Sequence, residues 1–263
     1  MDVRNIKKEM EEELVADILP FWMKRMTDEA NGGFYGRITG IGELMPEAEK
    51  GAILNARILW TFSAAYRLLK KEEYLVTATR AKRVIIENFY DKEFGGIYWS
   101  LDYKGCPLDT KKQIYAIGFA IYGLSEYHRA TGDAEALEYA IRLFEDIEKY
   151  SFDPVKNGYC EALTRQWGEI ADMRLSNKDE NERKTMNTHL HILEPYTNLY
   201  RVWKDERLKQ QLRNLIELFT DKILNVETGH LELFFDDDWH SKYHIVSYGH
   251  DIEASWLIHE AAL

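Results

Sequence analysis

The six residues Asn31-Gly-Gly-Phe-Tyr-Gly36 set the pattern for the whole chain, because a turn of this kind returns three times. The later turns are Phe94-Gly-Gly-Ile-Tyr-Trp99, Asn157-Gly-Tyr-Cys160 and Thr228-Gly-His-Leu-Glu-Leu233. The turn glycines Gly33, Gly96, Gly158 and Gly229 are 96 − 33 = 63, 158 − 96 = 62 and 229 − 158 = 71 residues apart. Such regular spacing indicates a repeat architecture, in which each repeat is one supersecondary unit.

Between successive turns the chain has room for two helices, and apolar residues at helical spacing supply them. In Ala130-Thr-Gly-Asp-Ala134, we expect Gly132 to end one helix and Asp133 to cap the next. Each pair is then an αα-hairpin, which must bury its apolar face against neighbouring hairpins in an open solenoid or a closed ring. The predicted helices are 5–24, then 50–70 with 72–90, 112–131 with 133–150, and 187–204 with 206–224.

A closed ring of six such hairpins, the (α/α)6 barrel, needs a longer chain than 263 residues. The sequence supplies a first helix, three hairpins and the start of another, which ends in Trp256-Leu-Ile-His-Glu-Ala-Ala-Leu263 without a capping residue. We therefore expect residues 1–263 to form a single all-α domain, an (α/α) barrel that lacks its C-terminal helices.

Composition narrows the possible functions. The chain is 45% hydrophobic and 13% aromatic, which is enough for a sizeable core. Its net charge is −11 and its Lys and Arg residues are dispersed, which argues against nucleic acid as a partner. The charged N-terminus does not resemble a signal peptide, and no run approaches the roughly 18 apolar residues of a membrane span. We expect a cytoplasmic, monomeric protein with no membrane partner.

Two cysteines, Cys106 and Cys160, are too few for a disulfide scaffold, and we expect no metal site.

The segment Ser247-Tyr-Gly-His-Asp-Ile-Glu-Ala-Ser-Trp256 places His250, Glu253 and Trp256 three residues apart on one helical face. A histidine titrates near neutral pH, a carboxylate one turn further on can orient it, and an indole offers a flat surface to a sugar ring. The spacing favours an acid/base site, although a histidine beside an acid on a helix is also a common structural feature.

A second segment, Lys184-Thr-Met-Asn-Thr-His-Leu-His-Ile-Leu-Glu-Pro-Tyr-Thr197, brings Asn187, His191 and Glu194 to one side of a helix. Asn187 is its expected N-cap, and Pro195 should kink it because proline lacks the N–H donor. A buried histidine bonded to backbone is the alternative interpretation of His191.

Two further residues could face a cavity. Arg57 has almost entirely apolar neighbours in 52–62, so its charge needs a partner, a wet cavity or a path to the surface. A guanidinium facing a cavity could hold sugar oxygens or a developing oxyanion. Tyr115 lies one turn before Phe119 among small residues, and it lines either a pocket or the core.

The two histidine segments, together with Asn55-Ala-Arg-Ile-Leu-Trp-Thr-Phe-Ser63, resemble the cellobiose 2-epimerase branch of the N-acylglucosamine 2-epimerase superfamily. The resemblance runs through the whole chain in order. It implies an (α/α)6 barrel and an isomerase that interconverts glucose and mannose at the reducing end of β-1,4-linked disaccharides. No cofactor is implied.

The resemblance also implies roles for individual residues. His250 matches an acid/base on the C2 proton, and Glu253 matches its paired carboxylate. His191 matches a histidine associated with ring opening, with Asn187 beside it. The remaining matches are substrate contacts: Arg57 at O1 and O2, Tyr115 in the cavity, and the acidic residue Asp179.

One departure from the family pattern is large. The second C2 histidine and the tryptophans that stack the non-reducing sugar come from C-terminal helices, so we expect little activity from 263 residues alone. Three alternatives stay open: another sugar isomerase of the superfamily acting on mannose or N-acylglucosamine, a glycoside hydrolase using Asp179 and Glu253, and a sugar-binding remnant.

Overall fold

The helices found in the structure agree with those predicted from the sequence. The computed structural model describes residues 3–263, so the first two residues of the predicted 1–263 domain lie outside it. Single π-helical turns at Leu14–Ile18, Ile85–Phe89 and Phe219–Ile223 join α1 to α2 and end α4 and α8. The α-helices in the described range are α1 Val3–Glu13, α2 Leu19–Arg25, α3 Ala52–Leu69, α4 Glu72–Val84, α5 Ile114–Thr131, α6 Ala134–Tyr150, α7 Met186–Val202, α8 Glu206–Leu218 and α9 Tyr248–Ala262.

Short antiparallel strand pairs lie at the ends of the helices. Lys50, Lys112 and Lys184 pair in register with Leu101, Leu163 and Phe235, respectively. The sheets have the orders β1-β2-β3, β4-β5, β6-β9 and β7-β8. Their strands are β1 Lys50–Gly51, β2 Ser100–Leu101, β3 Pro107–Asp109, β4 Lys112–Gln113, β5 Ala162–Leu163, β6 Lys184–Thr185, β7 Leu224–Asn225, β8 His230–Leu231 and β9 Phe234–Phe235. Strands β1, β4 and β6 therefore lead directly into α3, α5 and α7.

The helices form two layers. Helices α3, α5, α7 and α9 lie side by side as an inner layer, and α4, α6 and α8 pack against its outer side. Backbones in the inner layer approach closely at two glycines of α5. A Cβ on Gly118 would lie 2.4 Å from the His191 carbonyl oxygen, and one on Gly123 would lie 2.8 Å from that of Ala56. The alternation of inner and outer helices agrees with the predicted (α/α) arrangement.

The predicted turns are confirmed. Gly33, Gly96, Gly158 and Gly229 have φ of 66°, 67°, 92° and 74°, in the left-handed region that glycine adopts without strain. Among the described residues, no helix is long and apolar enough to cross a bilayer.

The predicted caps are confirmed at one helix start and wrong at another. Gly132 ends α5 with φ of 77°, and the Asp133 carboxylate accepts from the Ala136 N–H at 2.9 Å. Helix α7, however, begins at Met186, one residue before the predicted cap Asn187. Its N-cap is Thr185, whose hydroxyl accepts from the Thr188 N–H at 3.1 Å. The helix continues past Pro195 to Val202.

A buried lysine precedes each of α3, α5 and α7 by two residues, and it contacts the preceding glycine turn. The Lys50 ammonium lies 2.8 Å from the Asp28 carboxylate, and that of Lys112 lies 2.9 Å from Asp91. Lys184 donates to the Lys156 carbonyl in the preceding turn at 3.4 Å and, outside that turn, to the Asp237 carbonyl at 2.7 Å. Burial alone would raise the pKa of Asp28, but bonds from Lys50 and neighbouring N–H groups hold it below the ordinary value.

Candidate functional site

All eight predicted site residues except Asp179 lie on the inner helices, and all except Tyr115 and His191 border one of two cavities. The first cavity, of about 290 Å³, lies at the start of α7 and α9, and the second, of about 320 Å³, lies between α3, α7 and α9. The first includes Asp179, Asn187 and His250 in its wall, and the second includes Arg57, Glu253 and Trp256. Helix α9 borders both cavities.

His191 is buried between aromatic rings and is held by an acid. Its Nδ1 lies 3.0 Å from Oε2 of Glu194, and its ring centroid lies 4.9 Å from that of Tyr115 and 5.1 Å from that of Phe119. Because a carboxylate accepts hydrogen bonds, Nδ1 carries a proton, and in the neutral ring Nε2 is then the acceptor. The expected neighbourhood of His191 and Glu194 is confirmed.

Arg57 is anchored on α5 rather than extended into open solvent. Its guanidinium lies over the Phe119 ring, 4.4 Å from the centroid, and donates to the Tyr115 hydroxyl at 3.3 Å. Burial raises the pKa of Tyr115, and the Arg57 charge opposes that rise. This contact joins the second cavity to His191, because Tyr115 packs against the His191 ring.

His250 is oriented by a residue that the sequence reasoning missed. We expected Glu253 to hold its ring, but the hydrogen bond at Nδ1 is to the Ser247 hydroxyl, at 2.7 Å. Ser247 is the N-cap of α9, and its side chain bonds the imidazole rather than a helical N–H. Burial lowers the pKa of His250; the charge of Glu253 opposes the shift and that of His191 adds to it. His250 is therefore a neutral imidazole near pH 7, suited to accept a proton.

Two buried polar atoms in the cavity walls have no hydrogen-bond partner within residues 3–263. They are Oδ1 of Asn187 in the first cavity and Nε1 of Trp60 in the second. The Trp60 ring stacks on Tyr122 with centroids 5.1 Å apart. An unpaired buried donor and acceptor cost free energy, which sugar hydroxyls can recover because they both donate and accept.

The first cavity also includes Glu161, a buried carboxyl group that the sequence reasoning did not select. Its position directly before β5 gave no helical spacing to signal it. A larger cavity, of about 580 Å³ beside Gly33 and α4, includes none of the predicted site residues. In the part of the chain that the structure describes, no three His, Cys, Asp or Glu side chains are grouped as metal ligands.

His189 is a structural histidine. Its ring is wholly buried, with Nδ1 2.6 Å from the Thr185 carbonyl oxygen, while Nε2 accepts from the Tyr159 N–H at 2.9 Å. Both ring nitrogens are therefore used by backbone groups.

Comparison with known proteins bears on the family and the fold. Residues 33–263 match the family model of N-acylglucosamine 2-epimerase. The chain is 76% identical over 257 residues to a cellobiose 2-epimerase of Bacteroides fragilis, covering 98% of this chain and 66% of that protein. A solved cellobiose 2-epimerase from Bacillus thermoamylovorans superimposes with a TM-score of 0.95 at 46% identity, covering 98% of this chain and 66% of the other. The predicted (α/α)6-barrel fold is thereby confirmed.

The chain spans about two thirds of the length of these relatives, 66% in both cases. A D-mannose isomerase structure, 16% identical with a TM-score of 0.75, shares the fold.

Proposed function

Because the chain belongs to the N-acylglucosamine 2-epimerase family, we propose that the whole protein is a cellobiose 2-epimerase. It would interconvert glucose and mannose at the reducing end of β-1,4-linked disaccharides. The observation that carries the proposal is the pair of imidazoles, His191 and His250, set among the polar groups of one inner helical layer. The 76% identity to a protein named cellobiose 2-epimerase supports the choice of a disaccharide substrate.

The chemistry starts from the open-chain sugar, in which C2 lies next to an aldehyde. Neutral His250 removes the C2 proton, and the negative charge spreads onto oxygen as an enediolate. The Arg57 guanidinium stabilises that charge, and its contacts with Tyr115 and Phe119 hold it ready before the substrate binds. Return of a proton to the opposite face of C2 inverts the centre, and no redox step is needed.

The other residues have supporting roles. His191 assists ring opening through Nε2, while Glu194 keeps Nδ1 protonated. Asn187 and Asp179 bind sugar hydroxyls in the first cavity, and Trp256, about half exposed, offers its face to a sugar ring. Glu253 lies in the wall of the second cavity and keeps the local potential negative beside His250.

Several broader expectations belong to the same proposal. Residues 1–263 belong to one (α/α)-barrel domain of a monomeric, cytoplasmic enzyme. A net charge of −11 supports the absence of a nucleic-acid partner.

The test is hydrogen exchange at C2. Incubated with cellobiose in heavy water, the protein should incorporate deuterium at C2 of the reducing-end sugar. His250→Asn should slow this exchange by at least about a hundredfold, the usual contribution of a general base. His259→Asn is the matched control, since His259 is an exposed histidine on the same helix. Exchange at undiminished speed in His250→Asn contradicts the assignment. Exchange needs only one base, so it tests His250 separately from full epimerisation.

The alternatives give different products. Turnover of mannose or N-acetylglucosamine without turnover of cellobiose would favour another sugar isomerase of the family. A glycoside hydrolase needs two carboxyl groups flanking one glycosidic oxygen. Asp179 and Glu253 border separate cavities, which does not support that reaction. Release of glucose that is lost in Glu253→Gln but kept in His250→Asn would overturn the epimerase proposal.

A further inference from the structure

We propose that Glu161 is a positioning residue of the candidate sugar site. It joins the starts of α5 and α7 and thereby sets Tyr115 and His191 relative to His250. This inference rests on the proposed function for its substrate, but the geometry that carries it does not depend on a sugar.

On one side, Glu161 contacts the start of α5. Its carbonyl oxygen accepts from the Ile114 N–H at 3.1 Å, and its Oε1 accepts from the Gln113 side-chain amide at 3.3 Å. Gln113 is the N-cap residue of α5, and the next residue but one is Tyr115. Backbone and side chain of Glu161 thus act on the helix that carries Tyr115.

On the other side, Glu161 contacts the start of α7. Its Oε2 accepts from the Thr185 hydroxyl at 2.7 Å, and its N–H donates to the Arg183 carbonyl at 3.0 Å. The Thr185 oxygen in turn accepts from the Thr188 N–H as the N-cap of α7. The hydroxyl proton of Thr185 is therefore directed at Glu161. The Glu161 carboxyl group thus belongs to the same hydrogen-bond network as the N-cap of α7, the helix that carries His191.

The carboxyl group lies in the wall of the first cavity yet is only 3% exposed, and the side-chain bonds to it come from uncharged donors. Burial raises the pKa of Glu161 to about 7; bonds from Thr185 oppose the rise, and the charge of Asp179 adds to it. Near pH 7 the group exchanges between a neutral and a charged form. The other ionisable groups around this cavity are Arg174, Lys178, Asp179, Glu180 and His250, with Arg183 joined through its backbone.

The neutral form suits the proposed reaction. An enediolate develops negative charge, and a second negative charge in the same region raises the free energy of that state. We therefore expect ionisation of Glu161 to disfavour the enediolate by this repulsion, and to weaken sugar binding because a buried charge without a cationic partner destabilises the arranged site. Glutamine has nearly the same shape, stays neutral and can still accept from Thr185.

The experiment compares Glu161→Gln and Glu161→Ala with the wild-type chain. Glu148→Ala is the matched control, because Glu148 is a largely buried glutamate in its own network, bonded by Tyr159 and Tyr196 at 2.9 and 2.8 Å, outside both site cavities. Two properties are measured: the dissociation constant for cellobiose by calorimetry between pH 6 and 8, and the ring NMR signals of His191 and His250 without sugar.

We expect Glu161→Ala to raise the dissociation constant about tenfold, the value of one or two lost hydrogen bonds, and to shift the His191 signals. Glu161→Gln should bind within about threefold of the wild type at pH 6. The wild-type constant should rise by up to about tenfold from pH 6 to 8 as the neutral fraction falls, whereas that of Glu161→Gln should stay level. Glu148→Ala should change neither property.

The inference is overturned if Glu161→Ala leaves both binding and ring signals unchanged. It is also overturned if the wild type and Glu161→Gln lose the same affinity for cellobiose as the pH rises from 6 to 8. This comparison can be made even where the alanine variant does not fold. If the wild type does not bind cellobiose at all, the proposed substrate fails. In that case the positioning role is tested only by the His191 ring signals of Glu161→Gln and Glu161→Ala.

Discussion

Acid should destabilise this protein through His189. The ring is wholly buried, Nδ1 donates to the Thr185 carbonyl, and Nε2 accepts from the Tyr159 N–H. A second ring proton would have to sit on Nε2, directly opposite that N–H. Burial lowers the pKa of His189 from the ordinary 6.5 to about 4, with the Thr185 bond opposing.

The direction and the size of the change in stability with pH follow from proton linkage. The folded pKa is depressed, so between about 6.5 and 4 the unfolded chain binds more protons at this site than the folded chain. The stabilisation is complete above pH 6.5 and is lost as the pH falls through the folded pKa. At 1.36 kcal/mol per pKa unit the full loss is about 3 kcal/mol, of which about 2 kcal/mol falls between pH 7 and 5.

The assay is urea denaturation at pH 7, 6 and 5 for the wild type and His189→Gln. The glutamine does not titrate, and its amide oxygen can stand in for Nε2 as acceptor of the Tyr159 N–H. The wild type should be the more stable at pH 7, and its advantage should shrink by about 2 kcal/mol at pH 5. His259→Gln, at an exposed position, should follow the wild-type curve. A constant difference between the wild type and His189→Gln across these pH values refutes the reasoning.

Three further substitutions test the close packing of the inner layer and the buried ion pair before α5. Gly118→Ala should lower the free energy of unfolding by about 2 kcal/mol, because its Cβ would lie 2.4 Å from the His191 carbonyl oxygen. Gly249→Ala is the control: no atom lies within 4 Å of its new Cβ, so the substitution should be neutral or stabilising by up to about 1 kcal/mol. If Gly118→Ala and Gly249→Ala changed the free energy of unfolding in urea equally, the close approach at Gly118 would be contradicted. Lys112→Met should lower the free energy of unfolding by about 2 kcal/mol at pH 7, because it removes one charged hydrogen-bond partner from the Asp91 carboxylate, which keeps its bonds from Arg165. An unchanged urea midpoint would show that this ion pair does not stabilise the fold.

The helices were predictable from the sequence because each hairpin buries a stripe of apolar residues at helical spacing. The turns were predictable because a left-handed backbone favours glycine, as at Gly96 and Gly158. The cap at Asp133 follows the same local chemistry, since its carboxylate needs only the N–H groups of the next turn. These features depend on neighbours within a few residues.

The errors in the site arose where two local partners compete. Asn187 and Thr185 can both cap a helix, and the choice fell to Thr185 because its hydroxyl also bonds Glu161 across the cavity wall. Spacing likewise allowed either Glu253 or Ser247 to orient His250. The hydroxyl at the N-cap reaches Nδ1 at 2.7 Å, while Glu253 lies in the wall of the neighbouring cavity. The first choice was settled by a contact from another part of the chain, whereas the second was settled between two local side chains.

The repeated lysines were invisible to pattern reasoning, because a lysine before a helix is usually solvated. The signal in the sequence is their spacing. Each lysine lies two residues before a helix of the inner layer, and in the turn before it an aspartate, Asp28, Asp91 or Asp153, lies five residues before the turn glycine. The lysines hold the starts of α3, α5 and α7, and the early turns of those helices carry Arg57, Tyr115, Asn187 and His191.

Helix α9 starts differently, and this difference bears on His250. No lysine stands two residues ahead of it. Instead the Asp251 carboxylate reaches back to β8, accepting from the Leu231 N–H at 3.0 Å and lying 2.8 Å from Nδ1 of His230. The residue next to His250 therefore does for α9 what a buried lysine does for α3 and α5. The position of the proposed base depends on bonds that its neighbour in the same helical turn makes to β8, so changes at Asp251 should displace His250 more directly than changes at any of the three lysines displace their helices.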